Sequence, residues 1–225
     1  MSTMHNRIKD YATIVFDCDG VILDSNKVKT KAFYQAALPY GENEAKLLVD
    51  FHVANGGISR YKKFEHFSSE ILNSPLSKKE IETLLSRYAN YVLDGLLHCK
   101  ISEGLRHLRL ETSSRWLVVS GGDQAELRDV FNTRGLADWF NGGIFGSPDN
   151  KDEILARELT DNNIVQPALF IGDSKYDYQA ATAAGLDFVY LSDWSEVKDW
   201  QNWCLSYQIT QLPDLKELIL KKAHN

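Results

Sequence analysis

Tyr11 to Gly20 reads YATIVFDCDG, an apolar run that ends in two aspartates and a glycine. A short, near-continuous apolar run is what a strand buried on both faces of a parallel sheet requires. In an open parallel sheet, ligands bind just beyond the carboxyl ends of the strands. This run therefore delivers Asp17 and Asp19 to the edge where chemistry is done. Residues i and i+2 on a strand face the same side, which co-directs the two carboxylates and turns Cys18 the other way, as a packing residue. Gly20 lets the chain turn sharply after them.

The pattern recurs. Trp116 to Val119 (WLVV) runs into Ser120-Gly121-Gly122, and Ala168 to Ile171 (ALFI) into Gly172-Asp173-Ser174, with Asp177 close behind. Phe188 to Leu191 (FVYL) is a fourth such run. Gln124 to Thr133, Lys151 to Leu159 and Lys175 to Ala184 carry helical patterns, the last closed by Gly185. Strands alternating with helices predict an α/β fold, a Rossmann-like doubly wound parallel sheet. One stretch breaks the alternation. Asn26 to Lys100 shows helical patterns and no strand; Ser77 and Glu80 fit a capping box, and Ile81, Leu84, Leu85, Tyr88 and Val92 follow at helical spacing. The expected organisation is a core of residues 1–25 and 101–225 with an inserted helical cap subdomain, residues 26–100.

The chain has 225 residues and a net charge of −6, which argues against a nucleic-acid surface built from clustered Lys and Arg. No apolar run approaches a membrane span. Met1 to Asp10 is polar and lacks the apolar stretch of a signal peptide. Cys18, Cys99 and Cys204 show no metal-like spacing and read as free thiols of a reducing compartment. A cytoplasmic protein with no membrane partner is expected.

Asp17, Asp19, Asp173 and Asp177 would crowd four carboxylates into one cleft. Like charges raise one another's pKa or demand a counter-charge. A hard divalent cation with oxygen ligands answers that demand, and Mg²⁺ suits a few carboxylates with water and a substrate phosphate. No His/Cys cluster argues for zinc. A carboxylate in such a site can attack phosphorus, and a second one two residues on can act as acid and then as base. A Ser hydroxyl, backbone N–H groups and a Lys would hold the phosphoryl oxygens, with Gly121 and Gly122 letting the backbone approach them.

These segments resemble the motifs of haloacid dehalogenase superfamily phosphatases. FDCDGVILDS (Phe16 to Ser25) is similar to the first motif and IGDSKYD (Ile171 to Asp177) to the fourth. VVSGG supplies Ser120 as the second motif, and GSPDNKDEIL supplies Lys151 as the third. The order is the family's, and the likeness spans most of the chain. The resemblance implies Asp17 as nucleophile, Asp19 as general acid/base and a mobile cap. It implies Mg²⁺ held by Asp17, Asp173 and the Asp19 backbone carbonyl, with Asp177 touching the metal or orienting its ligands. The superfamily's dehalogenases lack the second Asp and need no Mg²⁺, so Asp19 favours phosphoryl transfer. This chain has Gly121 where many relatives have Asn, and Pro148 before its lysine where many have Lys before Pro. Lys175 is therefore the substitute candidate for Lys151.

Asn55-Gly-Gly-Ile-Ser-Arg60 resembles the specificity loop of β-phosphoglucomutase and related sugar-phosphate phosphatases. Arg60 would bind a distal group of the substrate, a small phosphorylated metabolite such as a sugar phosphate, sugar-acid phosphate or phosphoglycolate. A β-phosphoglucomutase-like mutase and a non-catalytic binding module of the same fold are the alternatives. Asp24 and Ser25 read as the start of the cap hinge, Lys62 and Lys63 as a solvated face, and His52 and His66 as ordinary cap residues. Trp194, Trp200 and Trp203 read as packing at the edge of the core.

Overall fold

The computed structural model describes residues 8–72 and 74–219; residues 1–7 of the polar N-terminal stretch lie outside the described residues. The apolar run at the start becomes β1 (Thr13–Phe16), buried at every position. With β2 (Arg115–Asp123), β3 (Gly143–Ser147), β4 (Ala168–Gly172), β5 (Asp187–Leu191) and β6 (Thr210–Leu212) it forms a parallel sheet. Among the described residues the sheet has six strands in the order β3-β2-β1-β4-β5-β6. The chain starts at the centre and builds outward in both directions, so the crevice at the switch in strand order opens at the end of β1.

Alternate residues of each strand serve opposite faces. Ile14, Phe16, Trp116, Val118, Leu169 and Ile171 join one apolar core, and Val15, Leu117, Val119 and Phe170 join the other. Trp116 anchors the first of these, with its ring 4.6 Å from Phe16 and 5.8 Å from Phe140. The β3 strand escapes a hydrophobicity reading because GIFGS holds two glycines. The β6 strand escapes it because TQL is a largely exposed edge of three residues. Beyond β5, the rings of Trp200 and Trp203 pack on Tyr190 at 5.8 and 5.3 Å, as edge packing.

Between β1 and β2 the chain forms α1 (Asn26–Ala37), α2 (Glu42–Ala54), α3 (Arg60–His66) and α4 (Lys78–His98), with no sheet strand among the described residues. The capping box of Ser77 and Glu80 starts α4 as expected. Leu84, Tyr88, Val92 and Leu96 repeat every four residues along its buried face. The rings of Phe33, Phe64 and Tyr88 meet at 4.3 to 5.9 Å and give the insert a core of its own. The two connections to the insert run side by side. Leu23 bridges Ile101 antiparallel, the Asp24 N–H donates to the Lys100 carbonyl at 2.9 Å, and the Ser102 N–H to the Ile22 carbonyl at 2.9 Å.

After the insert come α5 (Leu105–Glu111), α6 (Gln124–Thr133), α7 (Lys151–Thr160), α8 (Lys175–Ala183) and α9 (Trp200–Ser206). The α6, α7 and α8 helices start at the residues expected from the sequence. Among the described residues no helix is long and apolar enough to cross a membrane.

Candidate active site

The ends of β1, β2 and β4 bring Asp17, Ser120 and Asp173 to one edge, and the starts of α7 and α8 add Lys151 and Asp177. Carboxylate oxygens of Asp17, Asp173 and Asp177 lie within 4.8 Å of one another, all three residues being buried. Gly172 is necessary to this packing, because a Cβ there would overlap the Asp177 side chain. Gly20 has φ +75°, a left-handed conformation, and a Cβ on it would run into the Asp173 carboxylate.

Lys151 is the cation at the centre. Its Nζ lies 3.0 Å from Asp17 Oδ1 and donates to Asp177 Oδ1, with the lysine side chain 1% exposed. Lys175 is exposed, with its ammonium 5.9 Å from the Trp203 ring, so of the two candidate lysines Lys151 is the one brought to Asp17. The second oxygen of Asp177 accepts from Ser174 Oγ at 2.7 Å and from the N–H groups of Ser174 and Asp173 at 3.1 and 3.2 Å. Asp177 thus closes the loop that presents Asp173 while it also meets the cluster.

Burial pushes the Asp17 carboxyl up to about 7, with Asp177 adding to the rise and Lys151 opposing it. Burial, Asp17 and Asp177 likewise hold Asp173 well above the carboxylate range; its partner, the Asn26 side-chain amide at 2.7 Å, carries no charge. Burial alone would lower the Lys151 ammonium, but Asp17 and Asp177 outweigh it and raise it. Three carboxylates against one ammonium leave a negative surplus walled by oxygen donors. That donor set fits Mg²⁺.

Asp19 has different partners. It accepts from Lys29 Nζ on α1 and from Ser25 Oγ at 2.6 Å. Burial would raise its pKa, yet Lys29 and Ser25 together hold it below the ordinary value, as a carboxylate. Ser25, read from the sequence as hinge, therefore touches Asp19. Cys18 is buried in the apolar core, as its strand position implied.

Ser120 is fully buried and accepts from the Gly122 N–H at 3.0 Å; the N-cap of α6 is Asp123. Gly121 and Gly122 lie at the irregular end of β2, where the register with β3 shifts. The insert closes over them. A Cβ on Gly121 would overlap the Gly57 carbonyl oxygen, and one on Gly57 would lie 2.7 Å from Ser174 Oγ. Arg60 is 6% exposed, lies 4.5 Å over the Tyr88 ring and forks onto both carboxylate oxygens of Glu126 on α6. It lines the cleft, but its charge is spent on joining insert to core.

Among the residues of this cleft that sequence reading missed or misread are Asn26, Lys29, Phe33, His52 and Lys63. Asn26, Lys29 and Phe33 follow the acidic loop at i, i+3 and i+7, one helical face that does line the cleft. That spacing was a usable signal. Lys63 was expected on a solvated face and is instead 3% exposed within the cleft; Lys62 is exposed. The Lys-Lys pair straddles a helix face, so one of the two turns inward.

A family model described as haloacid dehalogenase-like hydrolase matches residues 11–185. No curated protein sequence matches the chain. Among solved structures it is similar to a predicted phosphatase from Clostridium acetobutylicum, at 18% identity and TM-score 0.71, over 92% of this chain and 96% of that one. A predicted phosphoglycolate phosphatase from Haemophilus somnus aligns at 16% identity and TM-score 0.70, with 92% and 96% covered. A candidate β-phosphoglucomutase from Bacteroides vulgatus aligns at 15% and 0.69, with 96% and 94% covered. At such identities the structures speak for the fold. Together with the family match over most of its length, the acidic cluster at the end of β1 makes this chain a member of the haloacid dehalogenase-like hydrolases.

Proposed function

We propose that the chain is a Mg²⁺-dependent phosphomonoester hydrolase for a small phosphorylated metabolite, working through a phosphorylated Asp17. The observation that carries this reading is the pairing of an acidic floor, Asp17 with Asp173 and Asp177, with a roof that lines the same cleft with Lys29 and Arg60, each paired to a carboxylate, and Lys63, which has none among the described residues. The floor calls for a cation and the roof for an anion, and a metal-bound phosphate ester supplies both.

Asp17, Asp173 and Asp177 would hold Mg²⁺, which when bound neutralises charge developing on the phosphoryl oxygens. The Asp17 carboxylate attacks phosphorus; its O–P bond forms as the bond to the leaving oxygen breaks. Asp19, a carboxylate at rest, first takes up a proton from solvent and passes it to that oxygen. In the second half Asp19 takes a proton from water, which attacks the aspartyl phosphate and restores the carboxylate. The ion pair with Lys29 keeps Asp19 in the form suited to this second half. Lys151 balances Asp17 and the phosphoryl oxygens throughout, and Ser120 fixes the backbone turn at Gly122 beside them. The close approach of the Gly57 loop to Gly121 on β2 supports a small leaving group.

The test is phosphate release from sugar phosphates, phosphoglycolate and nucleotides, with and without Mg²⁺. Mg²⁺-dependent release from small esters is expected. Isomerisation of glucose 1-phosphate without net release would replace this reading by the mutase. Absence of both would leave the binding module.

Closure has its own consequence. In Gly121→Ala the added methyl meets the Gly57 carbonyl, so the insert cannot seat. We expect kcat/KM to fall on the order of 100-fold, the cost of a reacting group misplaced by about 1 Å. Thermal unfolding should change little, since the clash is relieved by opening. Steady-state kinetics beside a melting curve checks both.

A further inference from the structure

Three buried cations of the insert face the cleft, and their partners differ. Lys29 is matched by Asp19, and Arg60 by Glu126. Lys63 is 3% exposed and has no carboxylate partner among the described residues. Its Nζ lies 2.6 Å from His52 Nδ1 and 5.3 Å from the Phe33 ring centroid. An ammonium accepts nothing, so His52 Nδ1 is the acceptor and the ring proton sits on Nε2. That Nε2 is buried with no hydrogen-bond partner. His52 itself is 7% exposed and lines the same cleft. A buried cation and a buried orphan donor, side by side, each cost stability unless an acceptor arrives.

The charged groups around Lys63 do not supply that acceptor. Lys29 and Lys151 repel it; Asp19 and Glu196 attract it without touching it, Asp19 being held by Lys29 and Ser25, and Glu196 by Thr30 at 2.9 Å. Burial first, and Lys29 next, push the ammonium down to about 7. Asp17 on the floor and Lys63 on the roof border one cleft, so one ligand can meet both.

We propose that Lys63, backed by His52, is the seat for a second anionic group on the substrate, a carboxylate or a second phosphoryl carried by the leaving group. This rests on the hydrolase reading above and narrows it. Esters with a charged leaving group are the preferred substrates, and neutral polyol or simple sugar phosphates are poor ones. An anion at this point meets the Lys63 ammonium, which His52 Nδ1 holds from the other side, and it is the missing counter-charge.

Phosphoglycolate and 2-hydroxyethyl phosphate are nearly the same size and differ in that charge; 1,3-propanediol bisphosphate carries a phosphate at its far end instead. In wild type, kcat/KM for one of the charged esters should exceed that for the hydroxyethyl ester on the order of 100-fold or more, and whichever leads identifies the anion. Lys63→Met should collapse that ratio to within a few-fold while unfolding at the same or a higher temperature than wild type. Lys63→Gln, which keeps a donor, is the second variant should Met repack the cleft, and should retain only part of the ratio. Hydrolysis with no preference in wild type, or a preference unchanged in both variants, overturns the proposal and leaves the hydrolase reading intact. No Mg²⁺-dependent hydrolysis of any ester removes both.

Discussion

Asp17→Asn is expected to lower kcat for phosphate release on the order of 10⁴-fold or more, the scale at which loss of a catalytic nucleophile is felt. The amide is nearly isosteric with the carboxylate but is a far poorer nucleophile. Asp17 is 2% exposed, and the carboxylates nearest it already have partners, Asp177 in Lys151 and Ser174 and Asp173 in Asn26. Stability should move the other way. Folding raises Asp17 from 3.8 to about 7. Between those values the folded protein keeps a proton that the unfolded chain has released, so its contribution is complete below about pH 4 and lost as pH climbs through 7. The metal-free wild type should therefore lose stability over that range, and Asp17→Asn should remove Asp17's part of the slope. Denaturant unfolding of both proteins at pH 5 and pH 8, without divalent cations, reads the difference. Equal slopes would mean that Asp17 is not held as the structure shows.

Lys151→Met is expected to destabilise the metal-free protein by about 3–5 kcal/mol at pH 7, the usual cost of removing one partner from a buried ion pair. The exposures justify the full figure: 1% for the lysine side chain, 4% for Asp17 and 0% for Asp177. Methionine keeps most of the volume, so the loss is electrostatic and not a cavity. Two signatures separate it from simple misfolding. The deficit should shrink as pH falls, because protonated carboxylates no longer need the ammonium. It should also shrink when Mg²⁺ is added, since a cation in the cluster takes over part of the balance. A deficit indifferent to both would place Lys151 outside the charge balance.

The strands that could be read from the sequence are those buried on both faces, β1, β2, β4 and β5, where burial imposes an unbroken apolar run. The β3 and β6 strands are held by their neighbours and carry little hydrophobic signal of their own. The site divides the same way. Asp17 and Asp173 were visible because sheet topology alone brings strand ends together, and Asp177 because it opens the helix that follows β4. Lys63 and His52 were not, because their place in the cleft depends on how α2 and α3 pack and close over β2. Arg60 stood out as a cation on a glycine loop, but nothing local announced that Glu126, on a different helix, would claim its charge.

The paired connections at Leu23 and Ile101 make the insert an exchangeable cartridge. Chain leaves and re-enters the sheet at adjacent points, already joined by their own hydrogen bonds. Strand pairing is thus indifferent to how much polypeptide hangs between them, and lengthening that polypeptide adds only a slowly growing closure entropy. A lineage can rewrite the roof beyond Asn26, which holds Asp173, and with it the choice of ester, while the strands that carry the acidic floor stay as they are.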